Sequence, residues 1–214
     1  MCSSCYSVAT ALHHNTQLVL INITDHFNRT RANSEASTSG QRVLGVLLGQ
    51  QQGRVVDISN SFELSYTTVD GVPVIDQEFF TLKAGQYKQV FKDLEAVGWY
   101  ATAPPAVPGP AELAVQRMLV DVNEAPVLLV LDPTINHTRR DLPVTLYETE
   151  LHGAEHEWVV APYALETSEA ERIGVDQVAK IVPAGRTDAA SQRMNTQKSL
   201  FGYVHRGFSI APTQ

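Results

Sequence analysis

Cysteine is almost missing from these 214 residues: there are two, both at the N-terminus as Cys2-Ser-Ser-Cys5. A tetrahedral structural zinc site needs a second pair of ligands, and no second half follows, so neither a zinc finger nor a disulfide-stapled fold is expected. Basic residues are few and scattered. Sixteen Lys and Arg against 23 Asp and Glu leave a net charge of −7 with no basic run, which excludes the stripe that binding to a phosphate backbone demands, so nucleic acid is not an expected partner. Long apolar runs are absent as well. The stretches Val43 to Leu48 and Val127 to Leu131 fall far below the roughly 20 residues that cross a bilayer, and no membrane partner is expected. The first fifteen residues have neither a basic n-region nor an apolar h-region. A secretory leader is therefore not expected, and a reducing compartment, cytoplasm or nucleus, is.

What the chain does contain is material for a core. Its 43% hydrophobic, 18% charged and 7% aromatic residues match ordinary globular domains, and the length suits one domain with a tail. Two hydrophobic periods alternate along it. Gln41 to Leu48 and Val127 to Leu131 are short apolar runs that suit strands buried on both faces. Arg54 to Leu64 is β-branched and reads as the partner of the first, with Gly49 to Gly53 as the hairpin loop. Between Asp76 and Val97, Phe80, Ala84, Tyr87, Val90, Phe91 and Leu94 recur at three- and four-residue steps, which predicts one helix with a single buried face. Trp99-Tyr100, after Gly98, predict a buried strand. Pro110 opens a second helical pattern through Ala111, Ala114, Val115, Met118, Leu119 and Val122, with the proline where a missing N–H costs nothing. Leu18 to Arg31 is taken as a helix. Pro143 to Leu151 and Glu155 to Pro162 read as a hairpin, and Ser168-x-x-Glu171 as a capping box opening a helix through Ile173, Val178 and Ile181. The fold class is α/β (α+β) around one mixed sheet. Residues 1–9 are expected to be a flexible N-terminus, 10–182 the domain, and 183–214 a poorly ordered tail.

The candidate sites are few. His152-Gly-Ala-Glu155-His156 matches the inverted zinc-protease string H-x-x-E-H, whose two histidines must share a helix face; in a hairpin turn they do not converge, so a solvated loop is expected. His13-His14 and His26 have no Asp, Glu or Cys at ligand spacing, and the expectation is a strand-end His and a surface or capping His. No G-x-S-x-G elbow and no phosphate loop of the G-x-x-x-x-G-K type occurs.

Two stretches, Gln41 to Gly49 (QRVLGVLLG) and Phe91 to Pro104 (FKDLEAVGWYATAP), resemble the MPN domain family over about residues 10–182. Further shared stretches are Asp25-His26-Phe27-x-Arg29, Asn60 to Leu64, Tyr87 to Glu95 and Glu169 to Asp176. Within the family they resemble the non-catalytic type of subunit in the COP9 signalosome, with the equivalent type in the proteasome lid as the alternative. The resemblance implies an MPN-type fold. Catalytic members look like zinc isopeptidases, with two histidines after the Gly-Trp-Tyr strand, a serine and an aspartate on the next helix, and a glutamate general base on the earlier strand. In this sequence the histidine positions are Ala101 and Ala103, the serine position Ala111, the aspartate position Ala114 and the glutamate position Arg42. None of these offers zinc a ligand, so no catalytic residue, metal or cofactor is expected. A metallohydrolase with other ligands is the alternative from a different class. The resemblance implies pairing with a catalytic MPN subunit in a complex that removes NEDD8 from cullins, the cullin-RING ligases being indirect partners. Pairing in the family uses the first long helix and the last, which sets Leu18, Ile21, Phe27, Ile173, Val178 and Ile181 as interface candidates. Members of this type continue into a long helical C-terminal region, and no such pattern follows Lys180.

Overall fold

The computed structural model describes residues 10–12, 16–33, 42–53, 55–103, 107–133, 143–152 and 155–165. The capping box at Ser168, the helix carrying Ile173, Val178 and Ile181, the tail, Cys2, Cys5, His13 and His14 lie outside the described residues.

Six strands form one mixed sheet. They are β2 (Leu44–Gln52), β3 (Val55–Glu63), β6 (Glu95–Thr102), β7 (Val127–Leu131), β8 (Val144–His152) and β9 (Glu155–Ala161), in the order β3-β2-β6-β7-β8-β9. Only β6 and β7 run parallel within it, Gly98 facing Val127 and Thr102 facing Leu131. A parallel pair needs a crossover, and helix α3 (Pro110–Val120) makes it. A short parallel pair, β1 (Thr10–Leu12) with β10 (Tyr163–Leu165), forms a separate two-stranded ladder.

Helices cover both faces, which is why the central strands read as unbroken apolar runs rather than alternating ones. In β7 the set Val127, Leu129 and Leu131 joins the core beneath helix α1 (Thr16–Asn33), with Val19, Leu20 and Ile23. Leu128 and Val130 join the opposite core, with Phe80 of helix α2 (Gln77–Val90) and Val115 and Leu119 of α3. Among the described residues no helix is long and apolar enough to cross a membrane.

Several elements depart from the sequence expectation, the unassigned pair β1–β10 among them. The helix anticipated between Asp76 and Val97 stops at Val90. Asp76 caps its start by accepting the Phe79 N–H at 3.0 Å. After Phe91 the chain turns so that Glu95 and Ala96 can pair with Gly49 and Leu48. Val90 and Phe91, counted as buried on helical spacing, are therefore exposed, while Val97 is buried as a strand residue. The first hairpin is also longer than expected: β2 runs through Gln52, and only the turn at Gly53, φ 64°, separates it from β3. The polar Gln50-Gln51-Gln52 pair along β3 although they are exposed, and an apolar pattern cannot detect such an extension. A third pair of strands, β4 (Tyr66–Val69) and β5 (Val72–Ile75), was not anticipated. Asp70-Gly71 joins them at φ 51° and 81°, the positive values of a type I′ turn, for which Asp-Gly is a favoured dipeptide.

Candidate functional site

Strand β6 runs through the centre of the sheet and ends beside α3. Trp99, Ala101 and Ala103 alternate onto the α3 face, where Trp99 and Ala101 are buried and Ala103 packs against the same cluster. Leu44 pairs with Ala101. One step further, the Val43 N–H donates to Thr102 Oγ1 at 3.0 Å and the Thr102 N–H to the Val43 carbonyl at 3.1 Å. The same register sets Arg42 opposite Ala103.

The first turn of α3 closes over this strand end. Pro110 occupies the first helical position behind the N-cap Gly109. Glu112 reaches back to accept the Gly109 N–H on Oε2 at 2.7 Å, the reciprocal half of a capping box. Its Oε1 accepts from the Arg42 guanidinium. Burial pushes the Glu112 carboxyl up, but the N–H groups of Gly109 and Glu112 together with Arg42 outweigh it, and its pKa is lowered. Deeper on the same helix, Gln116 Oε1 accepts the Trp99 indole N–H at 2.6 Å, and its Nε2 donates to the Pro126 carbonyl at 2.6 Å and to Thr149 Oγ1 at 3.2 Å. This amide fixes α3 to the strand beneath it.

The structure thus brings Arg42, Ala101 and Ala103 together on adjacent strand ends, and the Arg42–Glu112 contact draws in the helix that carries Ala111 and Ala114. An open cleft of about 860 Å³ adjoins them, lined among others by Arg42, Ala111, Glu112, Tyr66 and Thr68. The Tyr66 hydroxyl donates to the Arg42 carbonyl at 2.6 Å. The donor set does not fit zinc. Four positions end in methyl groups, the fifth is a permanent cation, and the nearby Glu112 has both oxygens engaged. Among the described residues no three His, Cys, Asp or Glu converge as a metal site.

His26 also lines the cleft, but it is neither a surface nor a capping residue. It is buried on the inner side of α1. Its Nδ1 shares a hydrogen bond of 2.8 Å with the Tyr100 hydroxyl, and its Nε2 lies 3.7 Å from Glu63 Oε2. Glu63 in turn pairs with Arg29. Burial lowers the His26 pKa, Glu63 opposes that and Arg29 adds to it, leaving the imidazole below its ordinary 6.5. Burial likewise raises the Tyr100 phenol. The residues 152–156 span the β8–β9 turn, with His152 opposite Glu155 and Leu151 opposite His156, so the two histidines lie on different strands rather than one helix turn. On α1, Leu18 is exposed, Ile21 is half-buried and Phe27 packs against the core. Sequence reasoning missed Glu112, Gln116 and Tyr66. A glutamate at the third helical position behind Gly-Pro was a readable capping signal; the other two are visible only once the elements are packed.

The family model for the JAB1/Mov34/MPN/PAD-1 ubiquitin protease matches residues 13–125. COP9 signalosome complex subunit 6 of Oryza sativa subsp. japonica is 41% identical over 189 residues, covering 82% of this chain and 56% of the relative. Subunit 6a of Arabidopsis thaliana is 39% identical over 196 residues, covering 82% and 61%. Subunit 6 of Dictyostelium discoideum is 43% identical over 172 residues, covering 78% and 53%. The chain spans between about half and three fifths of the length of these relatives. A family match over more than half of the 214 residues, on a mixed sheet with helices on both faces, establishes that the chain belongs to the JAB1/Mov34/MPN/PAD-1 family.

Proposed function

We propose that this chain acts as a non-catalytic MPN subunit of the COP9 signalosome, pairing with the catalytic MPN subunit and supporting removal of NEDD8 from cullin-RING ubiquitin ligases. One observation carries the reading: the scaffold that would present zinc ligands is kept, while its five key positions hold Arg42 and four alanines. A water cannot be activated by a metal that has no ligands, so what such a subunit contributes is surface. The identity to relatives named signalosome subunit 6 supports the choice of assembly.

The pairing surface is centred on Leu18 and Ile21 of α1, with Phe27 contributing only the edge that its packing against the core leaves open, together with Ile173, Val178 and Ile181 from the C-terminal part. A standard interface buries roughly 800 Å² on each partner, and one helix supplies part of that. The reading extends to cytoplasm and nucleus as the compartments, which a fluorescent fusion would check.

The test is a zinc assay by mass spectrometry beside an isopeptidase assay with and without the catalytic partner. Zinc below about a tenth of an equivalent, with activity only in the mixture, supports the reading. Near-stoichiometric zinc and activity from the chain alone would overturn it. Co-purification with proteasome lid subunits in place of cullins would leave the non-catalytic role and refute the assembly.

A further inference from the structure

The place where zinc ligands would converge is spanned instead by a charge pair. Arg42 and Glu112 are 70 residues apart in sequence and meet through one guanidinium hydrogen bond. We propose that this pair is a metal-free cross-link, tying the first turn of α3 to the entry of β2 and holding the wall of the cleft without an ion.

Ordinary surface ion pairs contribute little, because both side chains remain solvated and must give up rotamer freedom. This pair differs on three counts. The Glu112 side chain is 11% exposed, against 45% for Arg42, so the carboxylate is largely out of water and needs a countercharge although the guanidinium stays half solvated. Both carboxylate oxygens are engaged, one by Arg42 and one by the Gly109 N–H that starts the helix, so one side chain both caps α3 and anchors it. Arg42 is itself held by its backbone: its carbonyl accepts from Tyr66 at 2.6 Å, and the adjoining Val43 exchanges hydrogen bonds with Thr102. Arg42 therefore joins β4 to α3 just ahead of β2, while its neighbour Val43 is tied to β6. The cation stands where the resemblance sets a carboxylate base, and the carboxylate stands on α3, between the serine and aspartate positions. The strand position is thus a cation in place of a carboxylate, the helix carries its carboxylate at Glu112, and the two meet directly across the gap.

Hydrogen exchange by mass spectrometry on the full chain tests this. Arg42→Met keeps the aliphatic stem and removes the cation. Glu112→Gln removes the charge while leaving an acceptor for the Gly109 N–H. Each should speed exchange of the amides of Gly109 and of residues 111–115 by about tenfold or more, the loss expected of a charge-assisted hydrogen bond. The double variant should exchange no faster than the faster single, since both remove the same link. Arg42→Lys should fall between wild type and Arg42→Met, and it remains informative if the other variants fold poorly. Excess zinc should leave the exchange unchanged. Additive effects, exchange unaltered by either single change, or zinc-dependent protection of these amides would each overturn the cross-link.

Discussion

Gln116 offers the sharpest test of how the site is held. It is 2% exposed and engages three groups: the Trp99 indole, the Pro126 carbonyl and the Thr149 hydroxyl. Gln116→Met keeps the length of the side chain and removes every polar atom. The Trp99 N–H and the Pro126 carbonyl are then left in an interior that water does not reach. An orphaned buried group costs about 1–3 kcal/mol, so two orphans together cost about 2–6 kcal/mol. Taking about 3 kcal/mol, and about 2–4 °C per kcal/mol for a chain of this size, the thermal midpoint should fall by about 6–12 °C. The assay is thermal unfolding followed by circular dichroism, with Arg117→Ala on the exposed side of the same helix as the control. A cycle with Trp99→Phe separates the hydrogen bond from the cavity the smaller ring leaves, and the double variant should lose about 1 kcal/mol less than the sum of the singles. A midpoint shift below about 2 °C, or strict additivity, would refute the argument that this amide clamps α3 to β6.

Three further outcomes follow from the same geometry. A Cβ at Gly45 would lie 2.2 Å from the Tyr100 ring, and Tyr100 is buried with no room to retreat; Gly45→Ala should cost about 1–3 kcal/mol in urea unfolding, and an unchanged midpoint would refute the close approach. Because the folded-state pKa of His26 lies below 6.5, the unfolded chain binds the proton first, so His26's contribution is intact above about pH 6.5 and is lost as pH falls through the folded value. The stability difference between wild type and His26→Gln should shrink from pH 7.5 to pH 5.5; a constant difference, by urea titration at each pH, would remove His26 from the account. If α1 pairs with the catalytic subunit as proposed, Leu18→Glu should weaken binding about tenfold or more, about 1.4 kcal/mol, by calorimetry, without lowering the thermal midpoint of the isolated chain; equal affinity would exclude this face.

The parts legible in the sequence are those whose signal is local. The run Val127 to Leu131, the proline opening α3, the β8–β9 hairpin and the buried Trp99-Tyr100 all follow from residue types within a few positions. The end of α2 was not legible, because Tyr87, Val90, Phe91 and Leu94 keep helical spacing past the point where pairing with β2 turns the chain. Asp70-Gly71 was a readable hairpin signal that the apolar pattern obscured, its outer residues being exposed valines and threonines. At the site, the five positions could be named from the motif, but the Arg42–Glu112 link could not. It joins residues distant in sequence, and an arginine and a glutamate on a surface pattern look like solvated charges until the fold sets them against each other.

At the zinc positions that the resemblance implies, the same packing opposes building a metal site one residue at a time. Ala101 is buried in an apolar cluster with Leu44, Trp99 and Val130. A histidine placed there alone would crowd that cluster and bury an imidazole with no ion to hold, a penalty of about 1–3 kcal/mol before any ligand geometry is gained. Replacing Ala114 with aspartate would set a carboxylate at a half-buried position of α3 with no metal to hold. Exchanging Arg42 for glutamate would strip Glu112 of its countercharge and set two carboxylates near one another. Each step alone is destabilising, and only the complete ligand set with zinc bound offsets the sum. The ion pair is thus a stable alternative ending for the same scaffold, and a variant carrying Ala101→His, Ala103→His and Ala114→Asp with Arg42 retained should take up less zinc than the same variant with Arg42→Glu. Equal zinc uptake by the two, measured by mass spectrometry, would show that Arg42 does not oppose the metal.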